Sequence, residues 1–184
     1  MAKVLVTLDF DGVVSPIDHD RNFRADSDFE MFRIGGFQCA ISKETLGTIQ
    51  RLKKISMEHP ELLEVIWASS WVDLTETFHI ETNDALPELG FLEIPASKAE
   101  SISKHALATD ARTVIVLEDG VIANRNLKKV WNGEEFIGRE LILFKPKLET
   151  GLTHELNLAI WDSLREPLGN AFPVEENADL EETV

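Results

Sequence analysis

The chain is short of several things, and each shortage narrows what it does. It has a single cysteine, Cys39, so no intrachain disulfide can form, which suits a reducing cytoplasm. Basic residues are scarce, 18 Lys+Arg against 33 Asp+Glu, for a formal net charge of −15. Attraction to a phosphate backbone needs a basic face, so general nucleic-acid binding is not expected. No apolar run approaches the roughly 18 residues needed to span a bilayer. The start "MAKVLVTLDF" lacks the long apolar segment of a secretory signal. The five histidines (His19, His59, His79, His105, His154) have no metal-ligand spacing, which argues against zinc. No G-x-x-x-x-G-K-[ST] occurs, so a P-loop is excluded. These absences point to a soluble, cytoplasmic protein with no membrane partner.

What is present is enough for one core. The length of 184 residues fits one domain, and 43% of residues are hydrophobic. Four near-continuous apolar runs read as strands buried on both faces: 3–10 ("KVLVTLDF"), 62–68 ("LLEVIWA"), 113–117 ("TVIVL") and 140–144 ("ELILF"). A short fifth strand is expected at 91–94. Helical patterns fall between and after them, at 42–58, 72–86, 97–108, 124–131 and 153–164, the first opening on Ser42 and the last on Thr153. Alternation of this kind implies a doubly wound, Rossmann-like α/β fold with a mostly parallel five-stranded sheet and helices on both faces. Residues 18–40 interrupt the alternation. Two short runs about Gly35-Gly36 read as a β-hairpin, a small flap over the end of the first strand. The domain is expected to span 1–165. From Glu166 onward six acidic residues and no basic one form an acidic tail, 166–184, expected to be disordered. The body without it remains acidic.

Ligands in open α/β sheets bind beyond the carboxyl ends of the strands. The residues following each strand are therefore informative. Asp9 and Asp11 follow the first, Ser69 and Ser70 the second, and Glu118 and Asp119 the third, while Lys98 heads a helix between the last two. Two carboxylates two residues apart raise each other's pKa unless a cation or hydrogen bonds hold them. Acids, hydroxyls and a lysine on one edge suit phosphoryl transfer. A carboxylate can attack phosphorus, and a second can protonate the leaving oxygen and then deprotonate water. Hydroxyl and ammonium groups can hold phosphoryl oxygens. An all-oxygen set with few protein ligands suits Mg2+. The plainer alternatives are polar turns for the acids, a helix N-cap for Ser69 and a surface helix for Lys98. Trp67 and Trp71, flanking the serines, read as core and rim packing rather than a base-stacking platform, and Cys39 reads as hairpin packing.

The pattern D-x-D-G-V at 9–13, serine at 69, lysine at 98 and an acidic pair at 118–119 resembles the haloacid dehalogenase (HAD) superfamily of phosphohydrolases. A more specific resemblance is to the small HAD domains of "Swiss Army Knife" RNA-repair proteins and their stand-alone and phage-borne relatives. It rests on "DFDGVVSP", "WASSW", Lys98, "LEDG" and "GLTHEL". Two positions depart from that pattern: serine stands for threonine at 69, and glutamate for the first acid of the pair at 118. The resemblance implies Asp9 as nucleophile and metal ligand, and Asp11 as general acid/base with its backbone carbonyl on the metal. It implies Ser69, with Ser70 beside it, and Lys98 as phosphate-binding residues, and Mg2+ as cofactor. Asp119 is expected as the direct metal ligand of the acidic pair, with Glu118 water-mediated or supporting. Too little chain separates these motifs for a large cap. The implied substrate is a phosphorylated small molecule or a nucleotide or nucleic-acid end. A receiver-type phosphoacceptor domain fits less well, since no aspartate ends "LLEVIWA". The remaining alternative is a catalytically weak HAD-like binding or scaffold protein.

Overall fold

The computed structural model describes residues 3–18, 22–23, 26–71 and 77–172. Its centre is a five-stranded, all-parallel sheet: β1 (Lys3–Leu8), β4 (Leu63–Trp67), β5 (Gly90–Phe91), β6 (Ala111–Leu117) and β7 (Glu140–Phe144), in the spatial order β5-β4-β1-β6-β7. β2 (Phe29–Ile34) and β3 (Phe37–Ser42) form a separate antiparallel pair. Helices α1 (Lys43–Glu58), α2 (Phe78–Glu81), α3 (Lys98–Ala108), α4 (Val121–Trp131) and α5 (His154–Leu168) complete the chain. The doubly wound α/β class expected from the sequence is the one observed.

β1 is central because it is apolar on both sides. Val4, Val6 and Leu8 enter one core with residues of α1 and α5, while Leu5 enters a second with Ile102 and Ala106 of α3 and Leu127 of α4. Period-two alternation of a mostly apolar strand thus joins two cores across one sheet. α1 is capped by Ser42, whose hydroxyl accepts from the Thr45 N–H at 3.1 Å. α3 is capped the same way by Ser97, from the Glu100 N–H at 3.2 Å.

The hairpin is where the two-glycine link placed it. Ile34 pairs with Phe37, and Gly35 and Gly36 have φ of +56° and +85°, a combination suited to the twist of a two-residue hairpin turn. The turn is tethered: the Gly35 N–H donates to Glu81 Oε2 at 2.5 Å. Cys39 is 4% exposed within the core, and burial pushes its thiol up to about 11, so it packs as expected.

Three boundaries differ from the expectation. Of the helix expected at 72–86, positions 72–76 lie outside the described residues, and in the remainder only Phe78–Glu81 is helical. Asn83 and Asp84 at positive φ end it. The fifth strand shrinks to Gly90–Phe91, an edge whose two residues are both exposed, so burial does not sustain it. At the other end, α5 does not stop at 164. It continues through Pro167 to Leu168, where the proline gives up one i→i−4 hydrogen bond and Leu168 beyond it is fully buried. Phe172 then packs edge-on against Trp161 at 6.1 Å. The first residues of the expected tail therefore belong to the folded body, and 173–184 lie outside the described residues.

Candidate active site

Parallel strands deliver their carboxyl ends to one edge, and backbone hydrogen bonds pin the loops there. The Asp9 N–H donates to Leu117 O (3.1 Å), Ala68 N–H to Leu8 O (2.8 Å) and Glu118 N–H to Phe144 O (3.1 Å). The motif loop is braced from outside as well. Ile17 N–H donates to Leu148 O (2.7 Å), and Leu152 N–H to Val13 O (2.9 Å), so "GLT" supports the aspartate loop.

On that edge Asp9, Glu118 and Asp119 each offer a carboxylate oxygen within 4.8 Å of the others. Asp9 is 7% exposed and Glu118 3%. Lys98, the first residue of α3, reaches between the buried pair: its Nζ lies 2.6 Å from Asp9 Oδ2 and 2.6 Å from Glu118 Oε2. Burial alone would lower the Lys98 pKa, but the carboxylates on either side outweigh it and hold the ammonium above its ordinary value. Asp9 Oδ1 accepts from the Phe10 N–H at 2.8 Å. Burial, reinforced by repulsion from Asp9, pushes Glu118 and Asp119 up, with Lys98 offsetting part of it. Such a set is short of positive charge. Hard carboxylate donors held together against their own repulsion fit a divalent cation.

The acidic pair divides its work. Glu118 is already engaged, by Lys98 and by the Gly120 N–H on Oε1 (2.8 Å), and Asn124 Nδ2 donates to its backbone carbonyl at 2.7 Å. Asp119 is half-buried and lies against the motif loop, so that a Cβ on Gly12 would sit 2.6 Å from Asp119 Oδ2. Gly12 also has φ +69°. Only glycine meets both conditions without strain.

Asp11 is turned to a different partner. Its Oδ2 accepts from Trp71 Nε1 at 2.7 Å, and burial pushes its carboxyl up, against the pull of that hydrogen bond. Ser69 is 2% exposed beyond β4, and its hydroxyl oxygen accepts the Trp71 backbone N–H at 3.3 Å. Ser70 is exposed. The structure thus brings Asp9, Lys98, Glu118 and Asp119 into direct association. It sets Asp11 and Ser69 beside them through Trp71, and leaves Ser70 at the rim. Beyond Asp11 a cleft of about 530 Å³ opens beneath the hairpin, lined by Trp71, Phe37, Met31 and Ile17 among others.

Two contributors were missed or undervalued in the sequence. Asn124 is a polar residue 92% buried on α4; its place on the inward helical face, six residues after Glu118, was the available signal. Trp67 is fully buried core as expected, but Trp71 is more than rim packing, since its N–H holds Asp11.

No family model matches the sequence, and no curated protein matches it. Solved structures do. The HAD domain of the effector protein Lem4 from Legionella pneumophila superposes with TM-score 0.61 at 10% identity, covering 94% of this chain and 98% of that one. The Legionella pneumophila effector Ceg4 superposes with TM-score 0.56 at 13% identity, covering 94% and 97%. An inactive mutant of the Lem4 domain gives TM-score 0.60 at 12%. At such identities the likeness concerns the path of the chain. With a five-stranded parallel sheet, a small hairpin and no large cap among the described residues, this chain has a HAD-like fold.

Proposed function

We propose that the chain is a Mg2+-dependent phosphohydrolase that cleaves a phosphate monoester through an aspartyl-phosphate on Asp9. The observation that carries this reading is the Lys98 ammonium clamped between Asp9 and Glu118, with Asp119 within 4.8 Å and Asp11 set apart on an indole N–H. A bare polar turn has no use for that division of carboxylates.

In the first half-reaction an Asp9 carboxylate oxygen forms a bond to phosphorus as the bond to the leaving oxygen breaks, and Asp11 gives its proton to that oxygen. In the second, Asp11 takes a proton from water as the water oxygen attacks phosphorus, and the bond to Asp9 breaks to release inorganic phosphate. The Ser69 hydroxyl and the Lys98 ammonium hold phosphoryl oxygens. Asp9, Asp119 and the backbone carbonyl of Asp11 would hold Mg2+, with Glu118 supporting through Lys98 and Gly120. Once bound, that cation supplies positive charge between nucleophile and phosphate.

The open edge and the small hairpin favour a substrate larger than the phosphate alone, either a phosphorylated small molecule or a nucleotide or nucleic-acid end. The lone Cys39 supports a cytoplasmic setting. No helix among the described residues is long and apolar enough to cross a membrane.

Mg2+-dependent hydrolysis of p-nitrophenyl phosphate and of 5′- and 3′-phosphorylated oligonucleotides, for wild type and Asp9→Asn, tests the reading. Activity in wild type and none in Asp9→Asn is expected. Equal activity in both removes the nucleophile assignment. A wild type inert on every substrate at saturating Mg2+ leaves a binding or scaffold role in its place.

A further inference from the structure

The two aspartates of one short loop have been given chemically different partners. Asp9 meets an ammonium, whereas Asp11 meets the N–H of an indole. An indole N–H carries no charge and accepts nothing, so it fixes where a carboxyl points without neutralising it. The indole is itself held by three rings: Phe10 at 5.1 Å, Phe78 at 6.2 Å and, from across the cleft, Phe37 at 5.6 Å between centroids. Phe10 and Phe78 are fully buried, so that side of the clamp is rigid. Phe37 follows the hairpin turn directly and is 63% exposed, so its side of the clamp belongs to the flap.

We infer that Trp71 is a positioning residue for the Asp11 carboxyl, and that the hairpin, through Phe37, sets where Trp71 stands. This rests on the phosphohydrolase reading of the site. The geometry favours one oxygen for the proton. Oδ2 accepts from Nε1, and the C=O oxygen of a carboxylic acid accepts better than its hydroxyl oxygen, so the transferable proton is placed on Oδ1. In the forward step the Oδ1–H bond breaks and the proton joins the leaving oxygen as its bond to phosphorus breaks. In the return step water delivers the proton to Oδ1 while its oxygen attacks phosphorus and the bond to Asp9 breaks. Phe37 and Trp71 both line the 530 Å³ cleft, so a leaving group lying there touches the same two rings that orient the carboxyl.

The test compares leaving groups. p-Nitrophenolate departs without a proton, while an alkoxide needs one. Trp71→Phe keeps an aromatic ring between Phe10 and Phe37 and deletes the N–H together with part of the ring volume. Its kcat/KM, which reports only the steps up to departure of the leaving group, is expected to fall about 10- to 100-fold on an alkyl phosphate such as n-propyl phosphate, part of what a general acid contributes, and at least several-fold less on p-nitrophenyl phosphate. Asp11→Asn should show a larger split in kcat/KM together with a fall in kcat on both esters, since it also removes the base of the return step, and Phe37→Ala a smaller split. Equal losses of kcat/KM on both substrates, or none on either, overturn the positioning role. A Phe37→Ala enzyme with wild-type ratios overturns the part assigned to the hairpin. A second readout needs no turnover. Of the four tryptophan indole N–H signals in a 15N spectrum, the one lost in Trp71→Phe should move in Asp11→Ala, and a signal that stays in place refutes the hydrogen bond. A wild type that hydrolyses neither ester sinks the phosphohydrolase reading and this inference with it, even if the indole signal moves.

Discussion

Replacing Lys98 with methionine removes the only cation ion-paired with Asp9 and Glu118 among the described residues and keeps most of the side-chain volume. The side chains of Asp9, Glu118 and Lys98 are 9%, 4% and 15% exposed, so the pair left behind faces itself in a poorly solvated place. Breaking a buried ion pair from one side costs about 3–5 kcal/mol. The lower end applies here, because Glu118 keeps the Gly120 N–H and Asp9 the Phe10 N–H. For a domain of this size about 3 kcal/mol corresponds to a fall in Tm of about 6–12 °C. A divalent cation binding only the folded form restores stability by mass action, and it restores more where it no longer competes with an ammonium. Thermal melts of wild type and Lys98→Met, each with chelator and with saturating Mg2+, check this. The variant should melt well below wild type in chelator and regain most of the gap in Mg2+, yet turn over no phosphate ester. A variant melting within a degree or two of wild type in chelator, with the same Mg2+ shift, would show that Lys98 does not hold the carboxylates together.

Gly12→Ala places a methyl group where Asp119 Oδ2 and Leu148 already lie and forces a positive φ on alanine. A loss of about 1–3 kcal/mol in urea unfolding is expected, together with weaker Mg2+ binding by calorimetry. Asn124→Ala orphans the buried carbonyl of Glu118; about 1–3 kcal/mol lost in the same unfolding assay is the expected outcome, and no change would refute the brace. Away from the site, hydrogen bonding from His105, outweighing partial burial and joined by Lys3, holds Glu64 down at about 2. A depressed carboxyl stabilises the fold above its unfolded value near 4.5 and loses that contribution as pH falls toward about 2. Wild type should therefore lose more stability than Glu64→Gln between pH 5 and pH 2, as read by chemical denaturation on a pH series.

The candidate edge was legible because it is written locally. β1, β4, β6 and β7 are largely apolar runs covered by helices or by neighbouring strands, and an acid, a serine or an acidic pair lies within two residues of the end of three of them. Ser42 and Ser97 announce their helices through side-chain caps, and Gly35-Gly36 announces the hairpin. The edges were less legible. β5 is two exposed residues, so no burial pattern marks its length. The helix expected over 72–86 is cut in its described part to one turn before two residues of positive φ. The last helix was expected to end at 164 because nothing in the acidic stretch that follows reveals that Leu168 is fully buried.

By itself, the order of residues determined the α/β class and the hairpin, and it singled out Asp9, Asp11, Ser69, Lys98, Glu118 and Asp119 as candidates. Strand ends, caps and glycine turns depend on near neighbours in the chain, and the sequence displays those. Only the tertiary structure decided how the set divides. Lys98 lies 89 residues from Asp9 and Trp71 lies 60 from Asp11, and nothing local says that an ammonium goes to one carboxylate and an indole N–H to the other. Those pairings exist because parallel strands bring distant loops to one edge. There burial, which weakens water's screening, lets each partner impose a different character on its aspartate.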